Sequence, residues 1–215
     1  PVVSPRWVGS GWSIFNNKGK PVRQYEPFFS ATHRFQFGVQ VGVSPVLFYD
    51  PVERVVATLH PNHTYEKMLF DPWRQVTWDV NDTVLGDPRT DPDVRGFTAS
   101  YFANLPATPP KPPWETWHAQ RKGGALGAQE QVAAKKAAAH ADTPATAHFD
   151  TLGRPFLTLA DNGPDPEQPG RHLLFATRVE LDIEGNQRAV RDAIEQAGDK
   201  QGRIVMRYAY DMLGS

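Results

Sequence analysis

Hydrophobic and polar residues alternate in short runs along this chain, and the clearest run covers residues 203–210. There Ile204, Met206, Tyr208 and Tyr210 alternate with Val205, Arg207 and Ala209. A period of two is typical of a β-strand with one better buried face. Residues 54–59 and 154–159 predict two further strands, each directly after a turn signal. The pattern therefore predicts a mainly β chain.

A short frame recurs beside these predicted strands. It consists of an aromatic or apolar residue, Asp or Asn, two variable residues, Gly and a polar residue. The best matches are residues 15–20, 49–54, 149–154, 181–186 and 210–215, and residues 70–75 are a copy that lacks the glycine. An Asp or Asn side chain accepts hydrogen bonds from backbone N–H groups two residues on, and Gly adopts a positive φ. The frame predicts a strand that ends, turns and restarts.

The repetition of this turn predicts how the hairpins are arranged. A single hairpin is marginally stable in water, so repeated hairpins persist when neighbours add to one another. We expect stacked antiparallel hairpins that form a curved or spiralling sheet. In that arrangement the turn residues occupy equivalent corners of successive hairpins: Asn16, Asp50, Asp150, Asp182 and Asp211.

A segment without the frame separates two segments that contain it. We therefore predict three regions: a first sheet region at 1–78, a Pro-rich and helical insert at 79–142, and a second sheet region at 143–215. The insert contains an extended Pro-rich spacer at 106–113 and three predicted helices. The first opens with Asp91 as a cap and runs to Ala103, the second covers 113–121, and the third covers 127–140. Residues 187–197 have helical spacing, yet the repeat register predicts a strand over 187–194.

The frame resembles the YD repeat of RHS-repeat proteins, matched best by Tyr49-Asp50, residues 149–154 and residues 210–214. Residues 17–29, 78–83 and 137–144 resemble the B component of bacterial insecticidal toxin complexes, and this similarity covers essentially the whole chain.

The resemblance implies a non-enzymatic, secreted shell segment that helps to enclose an unfolded cytotoxic polypeptide for delivery. It also implies three partners: the remainder of the B component, the C component with its toxic payload, and a translocation channel component. Direct membrane insertion is not expected. Because residues 210–215 end inside a repeat, we interpret the chain as a fragment of a longer polypeptide.

Charge and composition narrow the possible functions. The formal net charge is −1, which provides no overall attraction for nucleic acid, and the chain contains no cysteine. Thiolate nucleophiles, disulfides and Cys-ligated metals are therefore excluded. No catalytic, cofactor-binding or metal-ligating residue is predicted.

Several candidate sites have simpler structural interpretations. His60 and His63 could share a metal, but they also fit a polar hairpin loop. Asp79, Asp82, Asp87, Asp91 and Asp93 do not match a calcium loop and fit caps and turns. Ser10 lacks a nucleophile elbow, and the glycines of 123–127 lack the P-loop lysine and fit helix termination.

Two other classes of function are also compatible with the sequence. The first is a carbohydrate- or receptor-binding β module, in which exposed indoles stack on sugar rings, although core packing is the simpler interpretation. The candidate residues are Trp7, Trp12, Trp73, Trp78, Trp114 and Trp117. We expect Trp114 and Trp117 to share one side of a short helix. The second class is a hydrolase with an unrecognised pair of carboxylates.

Overall fold

The computed structural model describes residues 6–105, 113–195 and 200–211, so the predicted Pro-rich spacer lies almost wholly outside the described residues. The chain forms two compact units. The first comprises Pro1–Lys67 and Thr83–Lys135, and the second comprises Met68–Asp82 and Lys136–Ser215. Both are built mainly from antiparallel strands, as the alternation of the sequence predicted.

The first unit contains a meandering antiparallel sheet and a small separate one. Its main strands follow the order β2, β3, β5, β6 and β7, while β1 pairs with β4. The bounds are β1 Trp7–Gly9, β2 Ser13–Phe15, β3 Pro21–Gln24, β4 Phe28–Ser30, β5 Val46–Tyr49, β6 Val55–Leu59 and β7 Tyr65–Phe70. Residues 54–59 are thus a strand in the predicted place.

Three helices lie close to their predicted positions. They are α1 Arg95–Ala103, α2 Trp117–Lys122 and α3 Ala128–Ala138. Thr116 caps α2, because its side-chain oxygen accepts the Ala119 N–H at 3.2 Å, and Gly123 ends the helix as predicted. None of the described helices has the length and apolarity required to cross a membrane.

The predicted cap at Asp91 is wrong. Helix α1 begins at Arg95 after Val94, and no side chain caps it. Asp91 instead receives hydrogen bonds from Tyr65 and Lys67 on β7. Asp91 precedes Arg95 by four residues, and its side chain also accepts the Asp93 backbone N–H at 3.0 Å, so it closes the turn before the helix rather than capping the helix. The Asp91 carboxylate therefore makes both a local turn contact and a tertiary contact with the sheet.

The hydrophobic core of the first unit joins the insert to the sheet. Val46, Leu59, Tyr65 and Val94 are buried together, and Tyr101 is one of the partly buried aromatic residues against them. Val94 is completely buried although it precedes a short helix. The insert therefore supplies the second layer that the sheet of this unit requires.

The second unit contains the strands β8 Arg74–Trp78, β9 Ala145–Phe149, β10 Pro155–Pro164, β11 His172–Leu181, β12 Gln187–Arg191 and β13 Ile204–Arg207. They pair in sequence order, each antiparallel to the next. Strands β8 and β9 flank the insert and pair directly with each other. Among the described residues of this unit, Ala189 is the one buried hydrophobic side chain.

The strand prediction for residues 187–194 is confirmed over Gln187–Arg191. This segment has helical spacing of apolar residues, but it pairs with β11 on one side and with β13 on the other. Ladder hydrogen bonds on both edges outweigh a weak local helix preference. The predicted strand over 203–210 is shorter in the structure and ends at Arg207.

Candidate functional site

The recurring feature of the chain is a five-residue corner between antiparallel strands, seen clearly at Asp150. The Asp150 backbone N–H donates to the Arg154 carbonyl at 2.9 Å, and the Gly153 N–H donates to the Asp150 carbonyl at 3.0 Å. One carboxylate oxygen of Asp150 accepts the N–H groups of Leu152 and Arg154, each at 2.9 Å. The predicted Asx-turn is confirmed here.

The same hydrogen bonds recur at the predicted corners of Asn16, Asp50 and Asp182. In each, the side-chain oxygen accepts N–H groups two and four residues on, at 2.9–3.0 Å. The backbone bonds have lengths of 2.9–3.1 Å. These positions are therefore equivalent corners, as the frame predicted. The turn after Asp211 lies outside the described residues.

The fourth residue of each corner has a left-handed backbone. Its φ is 77° at Gly19, 75° at Gly153 and 97° at Gly185, and it is 70° at Glu53, which stands where the frame has glycine. L-residues rarely adopt this conformation, so the glycine of the frame meets a backbone requirement. The corner at Asp50 tolerates a side chain there.

An arginine after the turn reinforces the corner at Asp50 and at Asp150. The Arg54 Nε lies 2.8 Å from the Asp50 carboxylate, and the Arg154 Nε lies 2.7 Å from that of Asp150. Partial burial opposes ionisation of Asp50, but hydrogen bonds from Arg54 hold its pKa below the usual 3.8. Backbone and side-chain bonds from Arg154 lower the pKa of Asp150 in the same way.

A further corner, which the sequence frame missed, lies at His60–Thr64. The His60 N–H donates to the Thr64 carbonyl at 2.9 Å, the His63 N–H donates to the His60 carbonyl at 3.0 Å, and φ of His63 is 68°. Here Asn62, rather than the first residue, accepts the Thr64 N–H. The five-residue gap between β6 and β7 equals that between β5 and β6, and this spacing is the signal that could have revealed the corner.

The two histidines of this corner face different partners. His60 Nε2 lies 3.2 Å from the Glu66 carboxylate. His63 stacks on Trp114 with ring centroids 5.1 Å apart, and its carbonyl accepts the Trp117 N–H at 3.1 Å, where α2 begins. They fit the predicted hairpin loop. Across the part of the chain that the structure describes, no three His, Asp or Glu side chains are grouped to hold a metal ion.

The clustered aspartates divide among separate structural duties. Asp87 pairs with Arg89 at 2.6 Å. Asp79 accepts the backbone N–H of Asn81 at 2.6 Å, and Asp82 accepts that of Asp79 at 2.8 Å. Asp91 accepts the Asp93 backbone N–H at 3.0 Å and also pairs with Lys67, as Asp93 does. The sequence interpretation as turns is confirmed at Asp79, Asp82, Asp87 and Asp91.

Lys67 and Tyr65, which no sequence motif marks, connect β7 to the insert. Lys67 Nζ lies 3.0 Å from Asp91 and 2.6 Å from Asp93, and the Tyr65 hydroxyl donates to Asp91 at 2.7 Å. Thr83 Oγ1 donates to the Tyr65 carbonyl. An alternating strand gives no sequence signal for a charged residue turned toward a neighbouring helical segment.

Electrostatics keep Lys67 and Asp91 in their charged forms. Burial of Asp91 opposes its charge, but hydrogen bonds from Tyr65 and Lys67 lower its pKa below 3.8. Burial likewise opposes the charge of Lys67, and the two aspartates raise its pKa above 10.5. Burial, and then the Asp91 carboxylate, raise the pKa of Tyr65. The cluster therefore acts as a structural ion pair rather than a proton donor at neutral pH.

Two of the candidate tryptophans are strongly exposed among the described residues. Trp7 and Trp73 are the strongly exposed indoles, at 43% and 55%, and they belong to different units. Trp114 precedes α2 rather than sharing a helix face with Trp117, so that prediction is wrong. Thr116 caps the helix and leaves Trp114 to pack on Phe102, with ring centroids 4.8 Å apart.

A polar cleft of about 320 Å³ lies in the second unit between β8 and the start of β9. It is lined by Thr77, Asp79, Asn81, Asp82, His140, Thr143 and Ala145. Its acidic groups already have partners, since Asp82 accepts from the Thr143 hydroxyl at 2.7 Å and Asp79 from backbone N–H groups. These hydrogen bonds stabilise the connection that follows β8.

No protein-family model and no curated protein sequence matches this chain. Its structure is similar to the TcdB2-TccC3-Cdc42 crystal structure, with a TM-score of 0.57 and 19% identity over 87% of this chain and 7% of that chain. It is similar to the TcdB2-TccC3 crystal structure and to the Tc holotoxin pore of Photorhabdus luminescens, each with a TM-score of 0.55 and the same identity and coverages. The chain thus shares the fold of a short stretch of much longer chains.

Proposed function

We propose that this chain is a shell segment of an RHS-repeat toxin-complex component that encapsulates an unfolded cytotoxic polypeptide for delivery. The observation that carries this proposal is the recurrence of one corner, with the same hydrogen bonds, at Asn16, Asp50, Asp150 and Asp182. The likeness in fold to a stretch of TcdB2-TccC3 supports it.

A repeated corner is suited to building a wall. Each corner returns the chain beside the previous strand, so a sheet can grow by one hairpin at a time. In the second unit, strands β8 to β13 follow one another in sequence order. That unit has almost no buried hydrophobic residue among those described, which fits a single layer better than a closed globule.

In this proposal the product of the chain is architecture, not catalysis. The candidate carboxylates and histidines described above have backbone or ion-pair partners that explain their positions. The partners would be the remainder of the B component, the C component with its payload, and a translocation channel component. The assembled complex would be secreted, and the wall would curve into a spiral around the payload.

Protease protection of the payload tests this function. The full-length protein that contains this chain would be assembled with its partner component and payload, and then digested. We expect the payload to survive in the complex and to be degraded quickly once a denaturant opens the complex. A payload that is digested equally fast inside the complex and in free solution would contradict encapsulation.

A pair of glycine variants links that assay to this chain. Gly202 is buried with φ of 97°, and a Cβ there would overlap the Asp192 carbonyl oxygen, a backbone atom that cannot move cheaply. Gly202→Ala should therefore expose the payload to protease. Gly123→Ala is the matched control, because a Cβ at Gly123 meets nothing within 4 Å and its φ is −79°. Equal protection in both variants would argue against a role for this wall.

A further inference from the structure

The strand register of the second unit assigns its side chains to two faces. Directly paired residues share a face, and successive residues of a strand alternate between faces. Thr158 on β10 pairs with Thr177 on β11 and with Ala147 on β9. Ala160 pairs with Phe175 and with Ala145 in the same way. These pairs define the first face.

The first face contains no charged residue at any of its paired positions in β8 to β13, and the one charged residue of these strands that alternation places on this side is Arg188, which lies unpaired at the bulge of β12. On β8, β9 and β10 the register assigns to it Gln75, Thr77, Ala145, Ala147, Thr158 and Ala160. On β11, β12 and β13 it adds Phe175, Thr177, Val179, Val190 and Met206. We call this surface the uncharged face.

The opposite face of the same strands carries the charges. Its paired positions include Arg74, His148, Asp161, Arg178, Glu180 and Arg191. Several of them form ion pairs: Arg191 with Glu180, and Asp161 with His172 at 2.7 Å. We call this surface the charged face. One sheet therefore presents two chemically different surfaces.

Both faces are accessible, so burial does not explain the difference. On the uncharged face Thr158, Ala160 and Thr177 are exposed, and Phe175 is 48% exposed. On the charged face Leu174 is 53% exposed. A sheet that met only water on both sides would have no reason to exclude charge from one of them.

Fixed charges on a surface select among the segments of an unfolded chain, since they attract one sign and repel the other. A face of alanine, threonine and scattered apolar residues makes no such selection. It also lacks paired charges that would anchor a segment in one place. Such a face suits contact with a long unfolded polypeptide of mixed sequence, whereas the charged face suits water.

We propose that the uncharged face is the surface that contacts the enclosed unfolded polypeptide. This inference rests on the proposed shell function. It adds which face of the sheet touches the enclosed polypeptide, which residues form that face, and that the contact does not depend on charge. The partner is an unfolded polypeptide that is bound without regard to charge.

Photo-crosslinking from two neighbouring residues of β11 tests the assignment. Phe175 and Leu174 lie on opposite faces and are about equally exposed, so each would be replaced by p-benzoylphenylalanine in the full-length protein. The variants would be assembled with the partner component and payload, checked for protease protection of the payload, and irradiated. We expect a payload crosslink from position 175 in several-fold higher yield than from position 174.

The outcomes separate the two proposals. With the payload protected, equal yields from both positions, a higher yield from 174 or no crosslink from 175 would overturn the assignment of the uncharged face. A payload that is unprotected even in the unsubstituted complex would refute encapsulation itself, and the assignment with it. Should either aromatic replacement impair assembly, Thr177→Cys against Ala176→Cys repeats the comparison with a thiol-attached photo-crosslinker, because the chain contains no cysteine of its own.

Discussion

Replacing a corner glycine tests the repeat sharply, because the backbone strain of the substitution can be separated from any effect on side-chain packing. Gly153 has φ of 75°, and a Cβ placed there meets nothing within 4 Å. Gly153→Ala therefore creates no clash, and its effect comes from the backbone alone. A left-handed conformation costs an L-residue roughly 1–2 kcal/mol. The smaller entropy of the unfolded alanine chain offsets about 0.4–1 kcal/mol of that cost.

We therefore expect Gly153→Ala to lower the free energy of unfolding by about 1 kcal/mol, and Gly153→Val to lower it further, because a β-branched residue tolerates positive φ poorly. In a chain of this size, 1 kcal/mol corresponds to roughly 2–4 °C in Tm. The assay is equilibrium denaturation in urea, followed by far-UV circular dichroism.

Gly96→Ala is the matched control. Gly96 lies in the first turn of α1, and a Cβ there also meets nothing within 4 Å, but its φ is not positive. Alanine should stabilise that helix by roughly 0.5–1 kcal/mol. If both alanine variants shifted stability in the same direction, the explanation by backbone conformation would be refuted. His172→Ala, at a half-exposed side chain, should destabilise less than Gly153→Val.

Three further predictions concern the insert of the first unit. Lys67→Met leaves Asp91 without its buried cation and should destabilise the chain by on the order of 3 kcal/mol in urea denaturation, whereas K67R should recover part of the loss. The ion pair should contribute its full stabilisation at pH values between 3.8 and 10.5, the ordinary pKa values of the two groups. This stabilisation should vanish as the pH falls through the lowered pKa of Asp91 or rises through the raised pKa of Lys67. If the free energy of unfolding depended on pH as steeply in K67M as in the unsubstituted chain, the ion pair would not be its cause. Thr116→Ala removes the cap of α2 and should cost about 1 kcal/mol, while Thr116→Ser should be nearly neutral; equal losses would refute the capping role.

The corners could be predicted from sequence because their chemistry is local. An Asp or Asn side chain, the N–H groups two and four residues on, and a glycine with positive φ all lie within one short segment. The same holds for the end of α2 at Gly123. Strand β12 could be predicted only from the repeat register, since its own residues have helical spacing.

Other features depend on residues that meet only after folding. Lys67 and Asp91 are 24 positions apart, so no short segment of the sequence could predict the ion pair between them. The corner at His60 was missed because Asn62, rather than the first residue, accepts the stabilising hydrogen bond.

Local backbone requirements made the corners, and the strands that directly follow those at Asp50 and Asp150, predictable from the sequence, because each depends on a few adjacent residues. The tertiary structure alone decided which strands pair, which side chains share a face, and where the buried charges meet. A shift of one residue in register moves every side chain of a strand to the other face. The separation of charged from uncharged surface therefore exists only in the paired sheet.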